Sequence, residues 1–201
     1  MFLDFLRWNQ TRIFDSVYGA IENSLISPQK DWGSIVAEMA MNYLNQKERP
    51  GNKGWFDAKF EKSMRAIGFR TGHAWCCYFS ERVWTDTAKV YNENMLIGIK
   101  KLFSGSTQKT FVNFKKYGPK YGYEVDSKPQ IGDVIIWQRK NKRSLGHAGI
   151  CVGFYDNGDM KTIEGNTNGS GSREGDGVYT KRRRLTGTSS MIIRGYIRPI
   201  K

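Results

Sequence analysis

Apolar positions along the chain follow two rhythms in turn. Before about residue 118 they recur every three or four residues, the spacing of one helix face; from Pro129 they fall into short β-type runs. A leader over about residues 4–25 carries Leu6, Ile13, Val17 and Ile21 at helical spacing. Ser27-Pro28 ends it, because proline disfavours helix in the residue before it. Its polar side holds Asp15 and Glu22 as well as basic residues, which fits a helix packed on the main domain or on a partner better than one lying on a membrane. Ser34 is read as the N-cap of a helix through Leu44, with Val36, Met39, Ala40 and Tyr43 on one face. Pro50-Gly51-Asn52-Lys53-Gly54 makes a turn, and a short helix follows with Phe60, Met64 and Ile67, closed by Gly68. A helix then starts near Cys76 and carries Phe79, Ser80, Val83 and Trp84; another covers about residues 107–116.

The strand-like runs are residues 134–137, 148–155, 160–164, 177–182 and 191–197. Asn157-Gly158 between the second and third is a strong hairpin signal. Residues 169–177, rich in Gly and Ser, read as a mobile loop. Helices first and strands second predict an α+β fold, with N-terminal helices packed on an antiparallel β-sheet. The chain divides into a helical extension over residues 1–33 and one domain over residues 34–201.

Composition narrows the partner. Six Trp, ten Tyr and eleven Phe in 201 residues supply enough buried area to argue against disorder. The formal charge of +13 favours an anionic partner through long-range attraction, and nucleic acid, anionic lipid and anionic wall polymers all qualify. No nucleic-acid-binding motif accompanies the charge, so specific nucleic-acid binding is not expected. Met1 to Arg7 has no basic stretch ahead of its apolar residues and is broken by Asp4. No signal peptide is read there, and no run is long enough to span a bilayer. A target outside the cytoplasm would then be reached by another route.

The chemistry gathers around Cys76. Three cysteines, two of them adjacent at Cys76-Cys77, make no disulfide framework and are read as reduced. Most free cysteines are small buried hydrophobes. Cys76, however, follows Trp75 at a helix start, where unsatisfied N–H groups and the helix dipole lower a thiol pKa. His147 lies in Gly146-His147-Ala148-Gly149, and Glu164-Gly165-Asn166 supplies a carboxylate and an amide. A thiol, a histidine and a polar group to orient the histidine form a nucleophile kit. If Asn157-Gly158 are the two residues of the turn, Asn166 opposes Gly149 and Glu164 opposes Cys151. His147 then shares a face with both, two positions from Asn166 and four from Glu164. Asn166 is nearer in that register, and a bulge or bend could exchange them.

The remaining candidates receive plainer readings. His73 is a loop residue, Cys77 packs in the core, and Cys151 is core on the His147 face. No zinc site is read from these cysteines, whose spacing matches no common metal pattern. Lys181-Arg182-Arg183-Arg184 reads as a solvated strand edge, with Lys181 and Arg183 on one face and Arg182 and Arg184 on the other. The polar stretch over residues 166–174 resembles a calcium loop only loosely, lacking the acids.

Four segments together resemble the CHAP family, the cysteine, histidine-dependent amidohydrolases/peptidases of the NlpC/P60-like, papain-related group. They are residues 72–79 (Gly-His-Ala-Trp-Cys-Cys-Tyr-Phe), 129–134 (Pro-Gln-Ile-Gly-Asp-Val), 146–150 (Gly-His-Ala-Gly-Ile) and 162–166 (Thr-Ile-Glu-Gly-Asn). The resemblance covers about residues 34–199 and implies a papain-like α+β fold. It implies peptidoglycan cleavage, at the amide between muramic acid and L-alanine or at a stem or cross-bridge peptide bond. Cys76 would be the nucleophile, His147 the base, Glu164 its orienting partner and Asn166 a polarising or oxyanion group. Some members bind calcium through acids just before the cysteine; residues 66–72 contain none, so no metal and no cofactor is expected. Small basic proteins of this kind resemble phage lysins, carried in a virion or delivered to the wall by another route. No second wall-binding module is visible, which leaves wall attraction to the basic surface. The competing reading is a non-catalytic structural or virion protein that keeps the fold.

Overall fold

The computed structural model describes residues 30–168 and 175–200. The expected leader helix over residues 4–25, and residues 169–174 of the expected loop, lie outside the described residues. Helix α1 (Trp32–Met41) begins two residues before Ser34, so Ser34 lies in its first turn. The cause is Trp32, whose ring packs edge-on against Trp84 at 5.5 Å and Tyr91 at 5.6 Å. Helix α2 (Ala58–Ala66) is capped by Asp57, which accepts from the N–H groups of Lys59 and Phe60 at 2.8 and 3.0 Å.

Helix α3 (Cys76–Tyr91) is the centre of the domain. Twelve of its sixteen residues are buried, so it is enclosed on nearly all sides rather than lying on the surface. Trp84 on α3 packs against Phe103, Phe114 and Tyr123 and donates from Nε1 to the Gly132 carbonyl at 3.1 Å. Arg82, also buried, pairs with Asp86 one turn on. Helix α4 (Met95–Leu102) and helix α5 (Thr107–Tyr117) complete the helical part, followed by a short 3-10 turn at Gly118–Tyr121. Eight residues are too few for an independent helix. Docking holds α4: Ile99 and Leu102 are buried, and the Tyr123 hydroxyl donates to the Met95 carbonyl at 2.9 Å. No sequence pattern pointed to α4.

Six strands form one antiparallel sheet in the order β1-β6-β2-β3-β4-β5. They are β1 (Tyr123–Asp126), β2 (Val134–Arg139), β3 (Gly146–Phe154), β4 (Met160–Thr167), β5 (Gly177–Arg183) and β6 (Met191–Pro199). The α+β architecture matches the expectation, and β1, a four-residue edge strand, is the strand that periodicity missed. One sheet face meets the helices through Val134, Ile136, Ala148, Ile150, Ile163 and Ile197. The other carries a smaller cluster of Ile135, Trp137, Cys151, Met160 and Tyr196. Buried Arg198 on β6 ties the sheet together, bonding Asp133 at 2.7 and 3.1 Å and Asp126 at 2.9 Å.

The β3–β4 register departs from the expected one. Tyr155 N–H donates to the Asp159 carbonyl and Gly158 N–H to the Tyr155 carbonyl, both at 2.8 Å. The hairpin loop therefore has three residues, with Gly158 left-handed at φ 81°, a conformation glycine adopts without steric penalty. A second slip lies between Cys151 and Gly153, where Val152 is an extra residue in β3. Cys151 now pairs with Thr162 and Ile150 with Ile163, which brings Glu164 opposite Gly149. Two single-residue displacements move the partner by two positions and, beyond the bulge, leave His147, Gly149 and Cys151 on the face of Thr162 and Glu164.

Beyond Glu164 the sheet presses on the start of α3. A Cβ at Gly165 would lie 2.5 Å from Trp75 Cζ3 and 2.7 Å from Phe79 Cβ, so only glycine permits this approach. Gly165→Ala should destabilise the protein by about 1–3 kcal/mol through overpacking. The change is read as a lower urea midpoint at unchanged slope; an unchanged midpoint would contradict so close a contact.

Candidate active site

Three elements converge on Cys76. Helix α3 provides the cysteine at its first position, with Trp75 as N-cap and no side chain capping the first turn. Strand β3 provides His147 at its second residue, and β4 provides Glu164 and then Asn166. The Cys76 thiol is buried, bonds the His147 imidazole and receives the N–H groups of Ala148 and Cys77. Burial alone would push the thiol pKa up. The charge of His147, its hydrogen bond and those two N–H groups outweigh burial and hold the thiol below its ordinary value. For His147, burial opposes the charged form, but the charge of Cys76 and the bonds to Cys76 and Glu164 push its pKa up. The two groups thus favour the thiolate–imidazolium form.

Behind His147 stands Glu164, fully buried. His147 Nε2 and Glu164 Oε2 are 2.9 Å apart. Thr162 Oγ1 donates to Oε1 at 2.6 Å, and the Arg183 guanidinium grips both oxygens, with Nε to Oε1 at 2.7 Å and Nη2 to Oε2. Burial would raise the Glu164 pKa, but the bonds from Arg183 and His147 hold it well below the usual carboxylate range. Trp137, directly opposite His147 in the β2–β3 ladder, lays its ring 5.8 Å from the imidazole.

Asn166 adopts φ 55°, a left-handed conformation that asparagine tolerates better than most residues. Its side chain is buried, and among the described residues its Oδ1 has no hydrogen-bond partner. It lines a cleft of about 180 Å³ together with Cys76 and His147. Ala74, Ser106, Thr107 and Ser144 form part of the same wall. All four residues singled out from the sequence therefore come together here. Their order differs from the expected register: Glu164, not Asn166, bonds His147, because the three-residue turn and the Val152 bulge shift β4 along β3.

The other two cysteines lie elsewhere. Cys77 is in the main core with Sγ 3.2 Å from Thr110 Oγ1, and burial pushes its pKa up. Cys151 belongs to the smaller cluster, where burial pushes its thiol up to about 12. All three cysteines are free. His73 is exposed in the turn before α3, its ring 6.5 Å from that of Tyr78. Among the described residues, no cluster of three or more His, Cys, Asp or Glu side chains could hold a metal ion. No described helix is long and apolar enough to cross a membrane.

Arg183, Thr162 and Trp137 are the site neighbours that the sequence did not single out. Strand alternation did place Arg183 opposite to Arg182. Arg182 bonds Asp159 at 2.7 Å, whereas Arg183 turns to Glu164, which corrects the reading of this run as solvated edge throughout. Only the β4–β5 pairing, with Arg183 opposite Met160, makes that reach possible.

The thiol environment has a direct chemical test. Iodoacetamide at pH 6 should label Cys76 in preference to Cys77 and Cys151, since only its pKa is depressed. His147→Ala should slow that labelling about tenfold or more, because burial then acts on the thiol without a compensating charge. Equal rates in the two proteins would remove the argument for an activated thiol.

Residues 68–166 match the family model of the CHAP domain. No curated protein and no solved structure gives a significant match to the chain. The matched stretch contains Cys76, His147, Glu164 and Asn166 and leaves out β5 and β6. The domain indicates a hydrolase of the amidase or peptidase type directed at peptidoglycan. With five described helices set against a six-stranded antiparallel sheet, the chain carries a CHAP domain of the papain-like, NlpC/P60-related group.

Proposed function

We propose that this protein is a peptidoglycan hydrolase that cleaves an amide bond through a Cys76 acyl-enzyme, acting as a phage lysin. The observation that carries the reading is the buried chain Cys76–His147–Glu164, with its thiol end lining an open cleft. The Cys76 thiolate attacks the amide carbonyl carbon and a C–S bond forms. The His147 imidazolium gives its proton to the departing amine nitrogen as the C–N bond breaks. Neutral His147 then takes a proton from water, the hydroxide attacks the thioester, and the thiolate leaves to restore the site. Glu164 holds the imidazole in orientation and balances its charge throughout.

The tetrahedral oxygen needs donors. The Cys76 backbone N–H lies in a helical first turn, whose N–H groups have no intrahelical acceptor, and is the natural one. Asn166 lines the same cleft as Cys76, and its side-chain amide is the second candidate to polarise the carbonyl there. The bond cut is the N-acetylmuramoyl-L-alanine amide or a peptide bond of the stem or cross-bridge. The +13 charge draws the protein to anionic wall polymers. Delivery to the wall, in a virion or by another route, belongs to the same proposal.

Purified peptidoglycan incubated with wild type should lose turbidity, and Cys76→Ser should cut the rate by several orders of magnitude. Equal rates would sink the assignment and favour a non-catalytic protein with this fold. Mass analysis of the released fragments identifies the bond from its new termini. The pH dependence has a definite sign. The thiolate forms above the lowered Cys76 pKa and the imidazolium survives below the raised His147 pKa. Turnover should therefore be bell-shaped, with an acid limb below the usual thiol range and an alkaline limb above the usual histidine value of about 6.5.

A further inference from the structure

Glu164 presents a problem that the cysteine and histidine do not solve. It is 0% exposed, and it sits one strand in from the sheet edge with a single imidazole to serve. When the thiol and imidazole form an ion pair, their charges cancel and the carboxylate remains as one unbalanced negative charge in a buried site. A buried charge without a counter-charge is unstable there.

Strand β5 supplies the balance. Arg183 approaches Glu164 as a fork, Nε on Oε1 at 2.7 Å and Nη2 on Oε2, a planar bidentate geometry that a guanidinium provides and an ammonium does not. The Arg183 side chain is itself 14% exposed and lies over the Trp137 ring, with the guanidinium carbon 5.6 Å from its centroid. Trp137 in turn stacks on His147. Guanidinium, carboxylate, indole and imidazole thus form one packed unit. The other groups facing it are Thr162, which donates to Oε1, and Lys181, whose charge acts on both Glu164 and Arg183 while its Nζ donates to the Asn168 carbonyl. Cys76 meets the unit through His147. Arg183 lies outside residues 68–166, the stretch that matches the family model.

We infer that Arg183 is a positioning residue for the Cys76–His147 chemistry, clamping Glu164 and neutralising its charge so that the carboxylate can orient and support the imidazolium. Thiolate, imidazolium, carboxylate and guanidinium sum to zero charge; without Arg183 the sum is minus one. Two responses are then open to the site, and both act in one direction. If Glu164 keeps its charge, that unbalanced negative charge opposes the thiolate. If Glu164 takes a proton, the imidazolium loses its partner, and the thiolate loses the imidazolium. Either way the thiolate forms at higher pH.

The inference rests on the proposed thiol chemistry, but its test needs no wall substrate. Iodoacetamide labelling of Cys76, located by peptide mass analysis, is followed from pH 4 to 9 in wild type, Arg183→Met, Arg183→Gln and Arg183→Lys. The two uncharged variants should raise the pH at which labelling sets in by about one unit or more. Arg183→Lys keeps the charge and loses the fork, and should recover at least half of that displacement. Circular dichroism establishes that each variant is folded. A folded Met or Gln variant with the wild-type onset would overturn the inference. So would failure of both uncharged variants to fold, which would assign Arg183 to the fold, and so would a Lys variant displaced as far as Met. Because labelling and peptidoglycan cleavage are separate measurements, a protein that cleaves no wall polymer can still show the displacement, and loss of one result leaves the other standing.

Discussion

A carboxylate buried within β4 sets the terms for the rest of the site. Glu164 is removed from water, yet its pKa is depressed, because Arg183, Thr162 and His147 supply what solvent no longer can. Each of those partners comes from a chosen position in the sheet: Thr162 two residues back on the same strand, His147 from β3, Arg183 from β5. Shift either neighbouring strand by one residue and the carboxylate would face a side chain of the wrong kind. The register of three strands and the charge state of one residue are thus a single constraint. Buried ion pairs gain little stability over apolar packing, but removing one partner is severe. Such a group persists when the polar arrangement has a use, and here the imidazole beside Cys76 supplies one.

The helical half meets that constraint at one point. Helix α3 is enclosed on nearly all sides, so its axis and its first residue have little freedom. The missing side chain of Gly165 lets β4 touch Trp75 and Phe79, and this contact brings Asn166 beside Cys76. Packing density, rather than any long-range force, therefore sets the spacing between Cys76 and the strand residues. The same burial that would suppress ionisation of Cys77 and Cys151 acts on Cys76 as well. Only at Cys76 does a histidine overturn it. Three thiols of one chain differ in chemistry through their neighbours alone.

Much of this was legible before any coordinates. Cys76 at a helix start, His147 just ahead of a strand-like run and Glu164 with Asn166 on the next run were all identifiable from residue type and spacing. The alternation of β-type runs also predicted that His147, Glu164 and Asn166 would share a face. The order of contacts was not legible. A two-residue turn at Asn157-Gly158 would have put Asn166 nearest to His147; Gly158 instead closes a three-residue loop and Val152 bulges out. Asn-Gly allows more than one turn length, and a bulge depends on cross-strand contacts that no local window contains. Helix α4 and strand β1 went unseen for a related reason, being short segments held by docking on Tyr123 and on β6.

Residue chemistry and local periodicity by themselves pointed to the class of fold, the candidate nucleophile, the candidate histidine and the pair of candidates for the third member. These follow from short-range rules: side-chain pKa, helix ends, strand alternation. Only tertiary structure decided between Glu164 and Asn166, left the Asn166 Oδ1 buried without a hydrogen-bond partner among the described residues, and turned Arg183 from one of four basic residues into the counter-ion of a buried carboxylate. Those outcomes depend on strand register and on removal of water, and both are properties of the assembled sheet rather than of any segment within it.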